Sequence, residues 1–187
     1  MKLGGGLLAH GDELDAALAT IGAGRARRLL VVPGGGPFAD AVRDIDRRLR
    51  LSDDAAHWMA VLAMDQCAHL IADRLADGVL VADTRAVVTA LDAGKLPVLA
   101  PFQWMREADP LPHSWDVTSD SIAAWIAGEV GARRLVLVKP SGALQRAADD
   151  VDLVDKYFAR SVPAGIEVVA VAADQRDALR RAMQLFD

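Results

Sequence analysis

The sequence predicts an α/β fold with a mainly parallel central sheet, on three observations. Short aliphatic runs alternate with longer amphipathic segments in a βαβα order. The runs are apolar throughout rather than alternating, as in strands covered by helices on both faces. Glycine-rich or polar breaks follow several of them, and open α/β sheets hold ligands at the carboxyl ends of their strands.

Five runs read as strands: 29–32, 79–81, 98–99, 135–138 and 168–171. Six segments read as helices from their apolar spacing: 12–21, 39–49, 53–75, 84–91, 119–130 and 174–186. Ser52 precedes an acidic first turn, Gly78 and Gly94 follow helices, and Thr118 or Ser119 caps the helix containing Trp125. The stretch 101–115, with Trp104, Pro110 and Pro112, has no clear period and is expected as an ordered loop over the site.

The 187 residues favour one domain over 1–187, and 52% apolar residues suffice for a packed core. A net charge of −5 and only 5% aromatics argue against a nucleic-acid surface, so any phosphate must be held locally. The one cysteine, Cys67, cannot form an internal disulfide, and no Cys/His pair has zinc-ligand spacing. No apolar run reaches the ~18 residues of a membrane span, and the glycine- and acid-rich start is unlike a signal sequence. The expectation is a cytoplasmic protein without membrane or nucleic-acid partners, with apolar helix faces that suit a homo-oligomer.

Four segments carry chemistry. In Lys2-Leu3-Gly4-Gly5-Gly6 the glycines let backbone N–H groups converge on an anion beside a mobile cation, although glycine runs at chain starts also form plain leaders. Val32-Pro33-Gly34-Gly35-Gly36-Pro37 joins a strand to a helix N-terminus, an anion-binding corner built from orphan N–H groups and the helix dipole. Neither run fits a P-loop or a spaced dinucleotide fingerprint, which disfavours a redox enzyme. In Asp116-Val117-Thr118-Ser119-Asp120-Ser121, Asp120 falls in a first helical turn, where it either caps the helix or reaches into the site. In Val138-Lys139-Pro140-Ser141-Gly142 a lysine ends a buried strand, a placement that packing explains poorly because an unpaired buried charge is costly.

These segments, in this order, resemble the amino acid kinase superfamily of carbamate, aspartate, acetylglutamate, uridylate and isopentenyl phosphate kinases. Within it, Pro33-Gly34-Gly35-Gly36-Pro37-Phe38-Ala39-Asp40-Ala41-Val42-Arg43, His57-Trp58-Met59-Ala60, Ala63-Met64-Asp65-Gln66 and Trp115-Asp116-Val117-Thr118-Ser119-Asp120-Ser121 look like the methanofuran-biosynthesis branch. Members of that branch convert an aminomethylfuran-methanol phosphate to its diphosphate. The resemblance implies a three-layer αβα sandwich of the carbamate kinase type and the use of ATP and Mg2+. It implies that Lys2 touches the transferring phosphoryl group and that Gly4, Gly5 and Gly6 underlie the nucleotide phosphates. Lys139 and Gly142 fall on the nucleotide side, Gly34, Gly35 and Gly36 at the acceptor, and Asp120 holds the lysines.

Two departures stand out. The 139–142 segment lacks the family's acidic residue, and Val151-Asp152-Leu153-Val154-Asp155-Lys156-Tyr157-Phe158 replaces a Gly-Gly-Met loop; Lys156 reads as solvated. Arg43 is a candidate cation for a phosphate acceptor, or a surface arginine paired with Asp40. His57 either faces the acceptor or is structural. Arg47-Arg48 and Arg133-Arg134 read as solvated helix-end charges. The implied function is phosphoryl transfer from ATP to a small phosphate-bearing acceptor. The alternatives are transfer to an amino-acid carboxylate, or a non-catalytic nucleotide-binding storage or regulatory subunit.

Overall fold

The computed structural model describes residues 1–24, 28–147 and 153–184, with 145–147 described by backbone alone. Its strands are β1 (Lys2–Leu3), β2 (Val32–Pro33), β3 (Gly78–Val81), β4 (Leu96–Leu99), β5 (Arg134–Lys139) and β6 (Glu167–Ala172). All their pairings are parallel: β2-β1-β5-β6 form one ladder and β3-β4 a second. Val31 joins the two, donating its N–H to Pro97 O at 2.9 Å and accepting from Leu99 N at 2.9 Å. The spatial order is therefore β3-β4-β2-β1-β5-β6.

That order puts β1 between β2 and β5, with the chain leaving to one side first and returning on the other much later. The crevice at the carboxyl ends of strands flanking such a switch is where this architecture binds ligands. Side-chain alternation builds the two helical layers. Leu135 and Leu137 of β5 face one core with Val61, Met64, Ile122 and Ile126, while Val136 and Val138 face the other with Leu14, Leu18, Ile21 and Leu179. The helices are α1 (Gly11–Ala23), α2 (Gly36–Leu49), α3 (Asp53–Arg74), α4 (Thr84–Asp92), α5 (Phe102–Ala108), α6 (Ser119–Glu129), α7 (Ser141–Ala147), α8 (Phe158–Ser161) and α9 (Arg176–Met183). α1 and α9 cover one face and α4 and α6 the other; α3 contributes to both cores. The expected three-layer αβα arrangement is the one observed.

Several local expectations need correction. β1 is a strand that two residues cannot announce by periodicity, and it is central to the sheet. α2 starts at Gly36 rather than Ala39, because Pro37 in its first turn needs no N–H partner. The 101–115 stretch is not all loop: α5 occupies part of it, its first N–H held by Asp65 Oδ1 at 3.0 Å. Arg134 is not solvated; its side chain is largely buried, meets Glu167 at 2.8 Å and donates to the carbonyls of Ala182 and Gln184. The expected helix end at Phe186, and Val151 and Asp152 of the departing segment, lie outside the described residues.

Candidate active site

β1 and β5 are register neighbours, Lys2 opposite Leu137 and Leu3 opposite Val138, so Lys2 and Lys139 emerge from adjacent strands. α6 brings Asp120 between them. Lys2 Nζ stands 2.8 Å from Asp120 Oδ1 in an ionic contact, and Lys139 Nζ donates to Asp120 Oδ2 at 2.7 Å. Lys2, Asp120 and Lys139 are only 3%, 5% and 8% exposed, so two ammonium groups share one carboxylate out of water. A buried surplus of positive charge is costly unless an anion arrives. Burial raises the Asp120 pKa, but Lys2 and Lys139 outweigh it and hold the carboxyl below its ordinary value. Burial, then the charge of Lys2, pulls Lys139 below the usual lysine range against the opposing pull of Asp120 and Asp155. Of the two roles open to Asp120, capping and reaching inward, the structure shows the second.

The two glycine corners meet beside this cluster. Gly4 N donates to Val138 O at 2.7 Å and Gly34 N to Leu3 O at 2.8 Å, which pins both loops to the ends of β5 and β1. A Cβ on Gly5 would lie 2.4 Å from Gly36 N, and one on Gly6 would lie 3.3 Å from Pro140 Cγ. The first loop is thus wedged between the second loop and the segment after Lys139, at a spacing that backbone alone can occupy. Gly36 adopts a φ of +52°, open to glycine at no steric cost. Beneath, the buried Cys67 thiol donates to Gly35 O at 3.2 Å, and burial pushes its pKa up to about 12, so it acts as a strut.

Against the loops opens a cavity of about 190 Å³ floored by Gly5, Gly6, Gly35 and Gly36. Val61, Met64, Ile122 and Trp115 make its walls, and Asp40, Arg43, Asp53, His57, Thr118 and Ser119 supply polar groups. Of the two readings of Arg43, the structure shows the pairing with Asp40, at 2.7 Å; the guanidinium also lies 4.8 Å from the Trp115 ring centroid, and the residue lines the cavity. Trp115 Nε1 donates to Asp46 Oδ2 at 2.7 Å, which fixes the indole. His57 is 7% exposed, lines the cavity and stacks on His113 at 4.1 Å. His113 is itself held between Asp54 at 2.6 Å and Asp109 at 2.8 Å. Burial, then the neighbouring His113, lowers the His57 pKa to about 4.

Lys2, Asp120 and Lys139 lie together, as do the two glycine loops; Gly5, Gly6, Gly35, Gly36, Arg43 and His57 line the cavity. Gly142 falls in the first turn of α7, away from the cavity lining. Lys156 is exposed and pairs with Asp116 at 3.1 Å. Sequence reasoning gave no site role to Trp115, His113 or Asp155. Trp115 opens the phrase that runs to Ser121 and was within reach, whereas Asp155 acts from 37 residues away and its role leaves no local signal. Two bare glycine loops beside two lysines suit a phosphate-bearing ligand. Among the described residues no group of three His, Cys, Asp or Glu side chains is placed to hold a metal ion, and no helix is long and apolar enough to cross a membrane.

Comparison with known proteins bears on the fold and the family. A [5-(aminomethyl)furan-3-yl]methyl phosphate kinase from Methanocaldococcus jannaschii is 28% identical over 164 residues, covering 84% of this chain and 68% of the relative. The crystal structure of uridylate kinase from Archaeoglobus fulgidus superposes with a TM-score of 0.67 at 15% identity, over 96% of this chain and 94% of that one, a likeness of fold. Residues 1–144 match the model of the amino acid kinase family. The chain belongs to the amino acid kinase family and is a phosphotransferase.

Proposed function

We propose that residues 1–187 form one domain that transfers the γ-phosphoryl group of ATP to a small phosphate-bearing acceptor, an aminomethylfuran-methanol phosphate of methanofuran-type carrier biosynthesis. The observation that carries this reading is the meeting of two bare glycine corners beside the buried Lys2–Asp120–Lys139 cluster. Phosphoryl transfer needs in-line placement and neutralised charge more than covalent chemistry from the protein.

When bound, MgATP supplies the phosphoryl group and a divalent charge carried on its own phosphates. In this reading the Gly4–Gly6 loop underlies the nucleotide phosphates, anchored by the Gly4 N–H on Val138 O, with Gly142 behind it on the same side. Lys139 neutralises charge from that side and Lys2 from the transfer point. Asp120 keeps both ammonium groups aimed, and Gly34, Gly35 and Gly36 receive the acceptor phosphate. A phosphate acceptor carries about two negative charges, and Arg43 supplies a cation at the cavity. Its oxygen is already ionised, so no side chain has to remove a proton from it. His57 and Trp115 offer flat faces to a small aromatic ring. A cytoplasmic homo-oligomer belongs to the same reading, and the exposed Leu80 of β3 and Val88 of α4 support the oligomer.

The test is ADP release by purified protein with MgATP and [5-(aminomethyl)furan-3-yl]methyl phosphate, beside a panel of amino-acid carboxylates. The expected result is release with the furan phosphate and a product that survives hydroxylamine. Release only with a carboxylate, trapped as a hydroxamate, contradicts the acceptor; release with none contradicts the kinase.

A further inference from the structure

We propose that Asp155 is a positioning residue for the transfer cluster: it caps α6 from a distant segment and thereby leaves Asp120 free to hold Lys2 and Lys139. The proposal rests on the kinase reading of that cluster.

The first turn of a helix presents N–H groups without intrahelical partners, normally met by an N-cap side chain or an acid in that turn. α6 follows Thr118, whose side chain accepts no capping bond, and Asp120 is the acid of its first turn. Asp120 would ordinarily serve the backbone, yet both its oxygens are committed to ammonium groups. Asp155 takes the task instead. Its Oδ2 accepts from Thr118 N at 3.0 Å, from Thr118 Oγ1 at 2.8 Å and from Ser121 N at 3.0 Å. Its Oδ1 accepts from the Ser121 hydroxyl and from Tyr157 N at 3.2 Å. Tyr157 N also donates to Asp116 O at 3.1 Å, which ties the segment to the approach to α6.

Thr118 and Ser121 bracket Asp120 in sequence, so one carboxylate fixes the backbone on both sides of it. Remove that carboxylate and the orphan N–H groups compete for Asp120. Asp155 also stands near enough to favour the charged form of Lys139, which is otherwise faced by Lys2 and Asp120.

The experiment compares Asp155→Ala, Asp155→Asn, Asp120→Asn and the Asp155→Ala/Asp120→Asn double variant, using MgATP and [5-(aminomethyl)furan-3-yl]methyl phosphate. Lys139 is titrated in parallel by NMR of ε-13C-labelled lysine in the parent and in Asp155→Asn. Asp155→Ala should lower kcat about 10- to 100-fold with both KM values moving less than about threefold. The double variant should be no slower than Asp120→Asn alone, and Lys139 should titrate at lower pH in Asp155→Asn. Independent multiplication of the two kcat losses, or an unmoved Lys139 titration, overturns the proposal. If Asp155→Ala does not fold, Asp155→Asn and the lysine titration decide it. Full activity in Asp120→Asn would instead overturn the kinase reading of the cluster.

Discussion

A methyl group added to Gly34 would stand 2.5 Å from the backbone nitrogen of Gly5. Two loops distant in sequence therefore lie backbone on backbone, and no side chain fits between them. Gly34→Ala or Gly5→Ala must push the corners apart, at a cost of roughly 1–3 kcal/mol in overpacking. Turnover should fall with the lost alignment by about 100-fold or more. Gly11→Ala, which meets nothing within 4 Å, should stay within about 0.5 kcal/mol of the parent. Thermal melts and steady-state kinetics on the three variants check this.

Asp120 is the counter-charge for two buried ammonium groups. Asp120→Asn should destabilise the protein by roughly 3–5 kcal/mol, the usual cost of stripping one partner from a buried pair. Lys2→Ala and Lys139→Ala should each lower kcat by about 10²–10³-fold, as when one charge-stabilising donor is lost. Urea unfolding and kcat measured on the same preparations separate the two effects.

His113 and His57 titrate with opposite consequences. Burial lowers His113, but its bonds to Asp54 and Asp109 raise it above its ordinary value overall. Its stability contribution is fully present below the unfolded pKa of about 6.5 and is lost as pH rises through the folded value. His57, lowered to about 4, contributes stability above about pH 6.5 that is lost as pH falls towards its folded value. His113→Gln should therefore lose more stability relative to the parent at about pH 5 than at about pH 9, and His57→Gln the reverse. Urea melts at both pH values read this directly.

Arg43 lies against the Trp115 ring and shares its charge with Asp40. Arg43→Ala should raise the acceptor KM about tenfold while kcat changes less, the pattern of lost ground-state binding. Trp115→Ala should act in the same direction, and initial rates over a range of acceptor concentrations settle it.

What the sequence disclosed follows from distance along the chain. The glycine corners, Asp120 and Lys139 lie at strand ends or helix starts, where local pattern and site coincide, and they converge as expected. Lys2 was visible as a charge beside glycines, but its strand was not, because two residues carry no period. α5 was hidden by the prolines and irregular spacing around it. Arg134 looked like surface charge because its partner Glu167 and the carbonyls of Ala182 and Gln184 come from elements met only after folding. Asp155 was hidden for the same reason.

The most direct measurement of the central claim is a crystal structure of the protein with a non-hydrolysable ATP analogue and [5-(aminomethyl)furan-3-yl]methyl phosphate. The account predicts the terminal phosphate between Lys2 and Lys139 over Gly4, Gly5 and Gly6, with the acceptor phosphate facing it from Gly34, Gly35 and Gly36 and the furan ring beside His57 and Trp115. A triphosphate bound elsewhere, or an acceptor outside the cavity by Arg43, would contradict it.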